Sequence, residues 1–100
     1  MTGIELIAKE RQEQIEKHGR TVLYDVANNR DGDLATGARA LIETFDFPFL
    51  DGFPVTWDKD SCEKMANKSY KERLIIAGAL IAAEIDRMLY IEKKLSDKTE

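Results

Sequence analysis

The sequence predicts a single all-α domain, and three observations support this prediction. The chain has 100 residues, which suits one domain rather than two. Two capping-box patterns, in which Thr or Ser is followed three residues later by Glu, each precede a stretch of helical apolar spacing. With 43% hydrophobic residues, 34% charged residues and two prolines, the composition is that of a globular chain rather than a disordered one.

The first predicted helix covers residues 3–18. Thr2 and Glu5 form its capping box, and apolar residues then recur at helical spacing. Gly19 follows, where glycine commonly ends a helix. Residues 19–31 contain several strong turn formers, so we predict a loop or a short turn there that packs onto the domain.

A second helix is predicted to begin between Asp31 and Asp33, because an apolar stripe follows at helical spacing. Gly37 lies in the first half of this helix, where the side chains are small, and it indicates close packing against a neighbouring element. Residues 46–60 carry half of the aromatic side chains and both prolines, which excludes a long helix. We expect this aromatic connection to be buried against the domain or a partner, with a short helical turn near residues 60–67.

The third predicted helix follows the second capping box, Ser69 and Glu72. From Leu74 to Leu89 it is apolar almost all round, which is typical of a central helix packed on more than one side. Three helices cover such a core poorly, so we predict a three-helix bundle that completes a four-helix-like bundle as a homodimer. The domain is assigned to residues 1–94, and residues 95–100 are expected to form a polar tail.

Charge and hydropathy limit the expected partners. The net charge is -4 and the 15 Lys and Arg residues are dispersed among 19 acids, so no nucleic-acid partner is expected. The longest apolar run, from Leu74 to Ala83, is too short to span a membrane, and the first residues do not read as a signal peptide. We therefore expect a cytoplasmic protein without a membrane partner. Cys62, the single cysteine, is expected to be structural.

Glu84 is the main candidate for chemistry, because it interrupts the apolar face of the third helix. A carboxylate in such surroundings needs a cation, hydrogen-bond donors or a metal ion. Two interpretations are open. Glu84 forms a structural ion pair with Arg11 or Arg39, or it is a metal ligand or general base.

Acids on the other helices can extend such a site. Glu10 and Gln14 share one face of the first helix, and Glu13 lies one turn after Glu10. Asp33 lies in the first turn of the second helix, where the helix dipole also favours an acid. Carboxylates that converge in a helical bundle can hold Mg²⁺, which prefers oxygen ligands and commonly bridges to phosphates. Water bound to the metal ion can then attack a phosphoryl group.

Three further candidates each allow two interpretations. Arg11 and Arg39 interrupt apolar faces. In one interpretation each arginine is structural and either forms an ion pair or extends its charged group to the surface; in the other it binds a phosphate. Trp57 either covers the core or stacks on a nucleobase.

Three blocks of the chain stand out together: residues 10–14 (Glu-Arg-Gln-Glu-Gln) with His18-Gly19, Asp25 with residues 32–34 (Gly-Asp-Leu), and residues 77–87 (Ala-Gly-Ala-Leu-Ile-Ala-Ala-Glu-Ile-Asp-Arg). With the Trp-containing segment before the third helix, they resemble small phage and bacterial proteins related to the MazG-like, all-α nucleoside triphosphate pyrophosphatases. Some of these relatives are described as dATP/dGTP diphosphohydrolases. The chain differs from their pattern at Asp33, where glutamate is usual, and at Ile76, where the residue is often basic.

The resemblance implies Mg²⁺-dependent hydrolysis of a nucleoside triphosphate to the monophosphate and pyrophosphate. The candidate residues are, for the metal ion, Glu10, Asp33 and Glu84; for activation of water, Glu84 and Glu13; and for the nucleotide, Arg11, Arg39, Gln14 and Trp57. The alternative is a non-catalytic, phage-type helical interaction or regulatory module in which Glu84 forms a buried pair with an arginine.

Overall fold

The computed structural model describes residues 1–99, and of Thr99 it describes the backbone alone. Within this range all regular structure is helical, which confirms the all-α prediction. Five α-helices follow one another, two more than the three main helices predicted from the sequence. They are α1 (Gly3–His18), α2 (Val22–Asn28), α3 (Asp33–Ile42), α4 (Lys59–Ala66) and α5 (Tyr70–Thr99), with a 3₁₀ turn at Leu50–Gly52.

Helix α1 has the predicted bounds because local signals determine both of its ends. The backbone N–H of Glu5 donates to Thr2 Oγ1 at 3.2 Å, and the N–H of Thr2 donates to Glu5 Oε1 at 3.0 Å. These two bonds satisfy donors that the first turn would otherwise leave free. At the other end Gly19 adopts the left-handed conformation, with φ of 65°, and ends the helix.

Helix α2 lies in the segment that the sequence predicted to be a loop or a short turn. Its seven residues begin after Thr21, whose Oγ1 accepts a hydrogen bond from the N–H of Tyr24 at 3.2 Å. Helix α3 begins at Asp33, as predicted, after Asp31 and Gly32 both adopt positive φ. This left-handed pair reverses the chain sharply, so α2 and α3 are separate helices.

The hydrophobic core lies chiefly between α3 and α5. Leu34 and Leu41 of α3 pack with Leu80 of α5, and each of the three is at most 1% exposed. Many of the surrounding core residues are alanines, which allow the two helix backbones to lie close together. The other buried members are Ala38, Ala40, Phe53, Cys62, Ala66, Ile76, Ala77 and Ala83.

Arg73 joins the first turn of α5 to the end of α3. It is 3% exposed, and its guanidinium donates to the carbonyl oxygens of Leu41 at 2.7 Å, Thr44 at 3.0 Å and Phe45 at 2.6 Å. A fourth bond goes from its Nε to the carbonyl of Lys68 at 3.3 Å. Helix C-termini leave carbonyl groups without intrahelical partners, so this buried cation satisfies the end of α3 from another helix.

The aromatic connection is only partly buried. Phe53 is 4% exposed, and Trp57 packs against the core beside it. By contrast, Phe47 and Phe49 remain more than half exposed. Helix α4 begins after Asp58, whose carboxylate accepts the N–H of Ser61 at 2.9 Å, close to the predicted helical turn.

Helix α5 is the longest element and has an uncovered face. Its 30 residues correspond to about 45 Å. We define the α5 stripe as the exposed large apolar residues on this helix, namely Leu74, Ile81, Ile85, Met88, Leu89 and Leu95. The helix continues to Thr99 through the predicted polar tail, and Glu100 lies outside the described residues. In the described part of the chain, none of the helices is both long and apolar enough to cross a membrane.

Candidate functional site

Glu84 forms its ion pair within its own helix. Its carboxylate accepts two hydrogen bonds from Arg87, from Nε at 2.6 Å and from Nη2 at 3.2 Å, and the two side chains are 16% and 13% exposed. The hydrogen bond to Glu84 raises the pKa of Arg87. Such a two-point pair between positions three residues apart satisfies both charges locally. The partner of Glu84 is therefore neither Arg11 nor Arg39.

Arg11 and Arg39 occupy different surroundings. Arg11 is 8% exposed; it lies 4.0 Å from the Asp25 carboxylate and 3.6 Å from that of Asp86. Its Nη1 donates to the carbonyl oxygen of Arg20 at 3.0 Å. The side chain of Arg39 is 79% exposed and pairs with Glu43 on the following turn.

The three metal candidates do not form one cluster. Glu84 is bound to Arg87, Asp33 lies half-buried in the first turn of α3, and Glu10 accepts a hydrogen bond from Gln14 at 3.3 Å. Among residues 1–99, no group of three or more His, Cys, Asp and Glu side chains lies close enough together to hold a metal ion. Any metal ion at Glu10 would therefore need ligands from a substrate or water.

Glu10 and Glu13 both line a cleft that we call the charged cleft. This cleft of about 480 Å³ lies between α1 and α4, with Ile76 of α5 also lining it. It combines two carboxylates with several cationic side chains and the Gln14 amide. Its charged lining residues are Glu10, Glu13, Arg20, Lys64 and Lys68, and His18 lies among them. Neither Glu84 nor Asp33 lines it.

A second cleft, of about 550 Å³, adjoins the first, and we call it the aromatic cleft. Residues of α2, of the loop after it and of the start of α4 line it, among them Tyr24, Asn28, Asn29, Arg30 and Trp57. The two clefts share three lining residues, Arg20, Ser61 and Met65. Cys62 also lines the aromatic cleft, and burial raises the pKa of its thiol, so it is a poor nucleophile.

A buried polar network lies behind the aromatic cleft. We define it as Arg11, Asp25, Asn29 and Trp57. Asn29 Nδ2 donates to Asp25 Oδ1 at 2.8 Å, and Trp57 Nε1 donates to Asn29 Oδ1 at 2.8 Å. Asp25 is 1% exposed, and its Oδ2 faces Arg11 at a distance too long for a hydrogen bond. The network thus links α1 and α2 to the wall of the cleft.

Sequence reasoning missed Asn29, Arg20 and Arg73 as site or framework residues. Asp25 and Asn29 are four residues apart, which places them on one face of a helix. That signal was hidden because α2 was predicted to be a loop.

No protein-family model, curated protein or solved structure matches the chain.

Asp25 should make part of the folding stability depend on pH. Burial raises its pKa above the ordinary value of 3.8, and the opposing effects of Asn29 and Arg11 are smaller. Because the folded state then binds the proton more tightly than the unfolded state, Asp25 contributes most stability below pH 3.8. That contribution is lost as the pH rises through the folded-state pKa.

We expect Asp25→Asn to remove this dependence. Urea unfolding of both proteins from about pH 4 to about pH 7 should show the wild type losing stability relative to the variant as the pH rises. Asp51→Asn, at an exposed acid in the 3₁₀ turn, is the control and should follow the wild type. Parallel curves for the wild type and Asp25→Asn would contradict the assignment.

Proposed function

We propose that this protein is a Mg²⁺-dependent nucleoside triphosphate pyrophosphohydrolase, and that its charged cleft receives the phosphates. The observation that carries the proposal is the lining of that cleft, where Glu10 and Glu13 lie beside Arg20, Lys64 and Lys68. Cationic side chains attract a phosphate chain, and carboxylates supply metal ligands or a base. The resemblance of three sequence blocks to nucleotide-hydrolysing proteins agrees with this combination.

The donor set suits Mg²⁺. This ion is usually held by one or two carboxylates together with substrate phosphates and water, rather than by an all-protein cage. Glu10 lines the cleft and would hold the ion jointly with the triphosphate and water, while Glu13, one helical turn away in the same cleft, remains free to act as a base. When bound, Mg²⁺ would neutralise phosphate charge and polarise the phosphoryl group.

The remaining steps fall to side chains of the cleft. Lys64, Lys68 and Arg20 bind and orient the phosphate chain. A water oxygen bonds to the α-phosphorus while the bond to the bridging oxygen breaks, so pyrophosphate leaves with the electron pair of that bond. Glu13 accepts the proton of the attacking water. Glu84 and Asp33, outside this cleft, take no direct part.

Replacement of Glu13 tests the proposal. Purified protein is incubated with a panel of ribonucleoside and deoxyribonucleoside triphosphates and Mg²⁺, and pyrophosphate release is measured. We expect hydrolysis of at least one triphosphate, and a loss of about 100-fold or more in kcat with Glu13→Gln, because a general base contributes about that much.

Glu16→Gln is the matched control, because Glu16 lies one turn further along α1, is exposed and accepts a hydrogen bond from Gln12. It should retain wild-type rates. If no triphosphate is consumed, or if the two variants are equally active, the proposed hydrolase is wrong.

A second candidate function, a non-catalytic interaction module that acts as a homodimer, is favoured by the α5 stripe. Ile81, Ile85 and Met88 are 46%, 52% and 48% exposed at helical spacing. Fully burying a large aliphatic side chain yields about 1.5–3 kcal/mol, so the half-exposed stripes of two copies would together contribute about 10 kcal/mol. Association itself costs about 4–15 kcal/mol, so burial of the stripe would offset this cost, and contacts around the stripe would have to supply the net affinity of a dimer. The local Glu84–Arg87 pair also fits a structural role for Glu84.

Ile85→Asp should abolish this association. Sedimentation velocity across a concentration series is expected to show wild-type dimers and a monomeric variant, since each interface would bury two uncompensated carboxylates. Val55→Asp, at a side chain 99% exposed in the aromatic connection, is the control and should dimerise normally. A wild-type protein that stays monomeric at every concentration would contradict the dimer.

A further inference from the structure

We infer that the aromatic cleft is the subsite for the planar base of the nucleotide, and that Asn29 is a positioning residue that holds the Trp57 ring as one wall of this subsite. The inference rests on the proposed function for the identity of the ligand. It nevertheless concerns a different cleft, so the two can fail separately.

The lining of the aromatic cleft suits a flat heteroaromatic ring joined to an anionic group. Trp57 and Tyr24 offer aromatic surface, on which a base can stack. Asn28 donates its Nδ2 to the Tyr24 carbonyl and offers its amide oxygen for the ring edge, and Arg30 adds positive charge. The volume of about 550 Å³ lies within the usual range for small-molecule sites.

The Trp57 ring is held in place before any ligand arrives. Its Nε1–H donates to Asn29 at 2.8 Å, and Asn29 is itself 6% exposed and bound to Asp25. The far edge of the indole packs directly on Gly37, and the centroid of the Phe53 ring lies 6.4 Å away. A wall that is fixed in advance spares the ligand the entropic cost of ordering it.

Arg20 connects this subsite to the phosphates. It lines both clefts, and its guanidinium carbon lies 6.0 Å from the centroid of the Trp57 ring. A nucleotide with its base beside Trp57 and its phosphates in the charged cleft would therefore pass Arg20 near the sugar and first phosphate. This continuity points to a nucleotide rather than to a separate aromatic ligand.

Trp57 is the single tryptophan of the chain, so its fluorescence reports on the subsite directly. The probes are a dATP analogue with a methylene group in place of the α–β bridging oxygen, and tripolyphosphate, which lacks a base, each with Mg²⁺. We expect the analogue to quench Trp57 emission and tripolyphosphate to leave it unchanged. Absence of analogue binding by calorimetry, binding without quenching, or equal quenching by both probes would overturn the inference.

Asn29→Ala tests the positioning role. Loss of one hydrogen bond to the wall should shift the Trp57 emission to longer wavelength and weaken analogue binding about tenfold, with tripolyphosphate binding unchanged. Asn67→Ala, at an exposed asparagine that ends α4, should behave as the wild type. Equal losses of affinity for both probes would indicate a merely structural role and overturn the assignment of Asn29. If Asn29→Ala does not fold, the comparison is made with Trp57→Phe, which keeps an aromatic ring but removes the indole N–H donor. Binding of both probes to this variant is then measured by calorimetry.

Pyrophosphate release separates the two proposals. Hydrolysis of dATP with unchanged Trp57 emission would overturn the base subsite alone. Quenching by the analogue without hydrolysis of any triphosphate would support the subsite and overturn the proposed hydrolase.

Discussion

Replacing Arg73 by alanine is expected to destabilise the protein by about 3–5 kcal/mol, a large part of the stability of a domain this size. The variant loses four hydrogen bonds from one buried guanidinium, three of them to the carbonyls of Leu41 in the last turn of α3 and of Thr44 and Phe45 just after it. Each buried carbonyl left without a donor costs about 1–3 kcal/mol. Urea unfolding followed by circular dichroism measures the change.

Two comparisons make the Arg73 prediction specific. Arg73→Lys keeps the charge but cannot present a planar fork of donors to several carbonyls, so it should recover only part of the loss. Arg39→Ala removes an exposed arginine from α3 whose partner is Glu43, and should cost less than about 1 kcal/mol. If Arg73→Ala unfolds within about 1 kcal/mol of the wild type, the carbonyl contacts do not stabilise the junction.

Gly37→Ala is expected to be the second large effect, even though alanine is the better helix former by about 1 kcal/mol. A Cβ at Gly37 would overlap the benzene ring of the Trp57 indole. That ring is rigid and anchored at its other edge by Asn29, so it cannot move aside cheaply. We expect a net loss of about 2–3 kcal/mol in the free energy of unfolding, with a shift of Trp57 emission to longer wavelength.

Gly78→Ala is the matched control for this prediction. A Cβ there would lie 2.6 Å from Ile7 Cδ1 and 2.9 Å from Ile7 Cγ1, two atoms of a half-buried aliphatic side chain that can shift more readily than a hydrogen-bonded indole. We expect a change of less than about 1 kcal/mol, since the gain in helix propensity offsets the adjustment. Equal effects of the two substitutions would show that the rigid indole is not the cause.

Helix ends and the all-α class were predictable because their causes are local. Thr2 with Glu5 and then Gly19 determine the ends of α1 within a few residues of chain. Helix α2 was missed because a seven-residue helix has little periodicity to detect, and its cap Thr21 stands alone, without the second partner of a capping box.

The candidate site was predictable only in part. Glu10, Glu13 and Gln14 do share a cleft, as their common helix face suggested. The apolar face around Glu84 indicated a partner on another helix, although Arg87 lies only three residues further along the same helix. The pairing of Arg11 with Asp25 depends on how α1 and α2 pack, which no local pattern reveals.

The sequence by itself determined the helical class, the ends of α1, the start of α3 and the presence of a carboxylate within the apolar face of α5, because caps and spacing act over one or two turns. Only the tertiary structure decided that Glu10 and Glu13 share a cleft with Lys64 and Arg20, and that Asn29 holds Trp57 beside it. Such contacts join residues up to about 50 positions apart, and they form only when the buried alanines and leucines of α3 and α5 have brought the helices together.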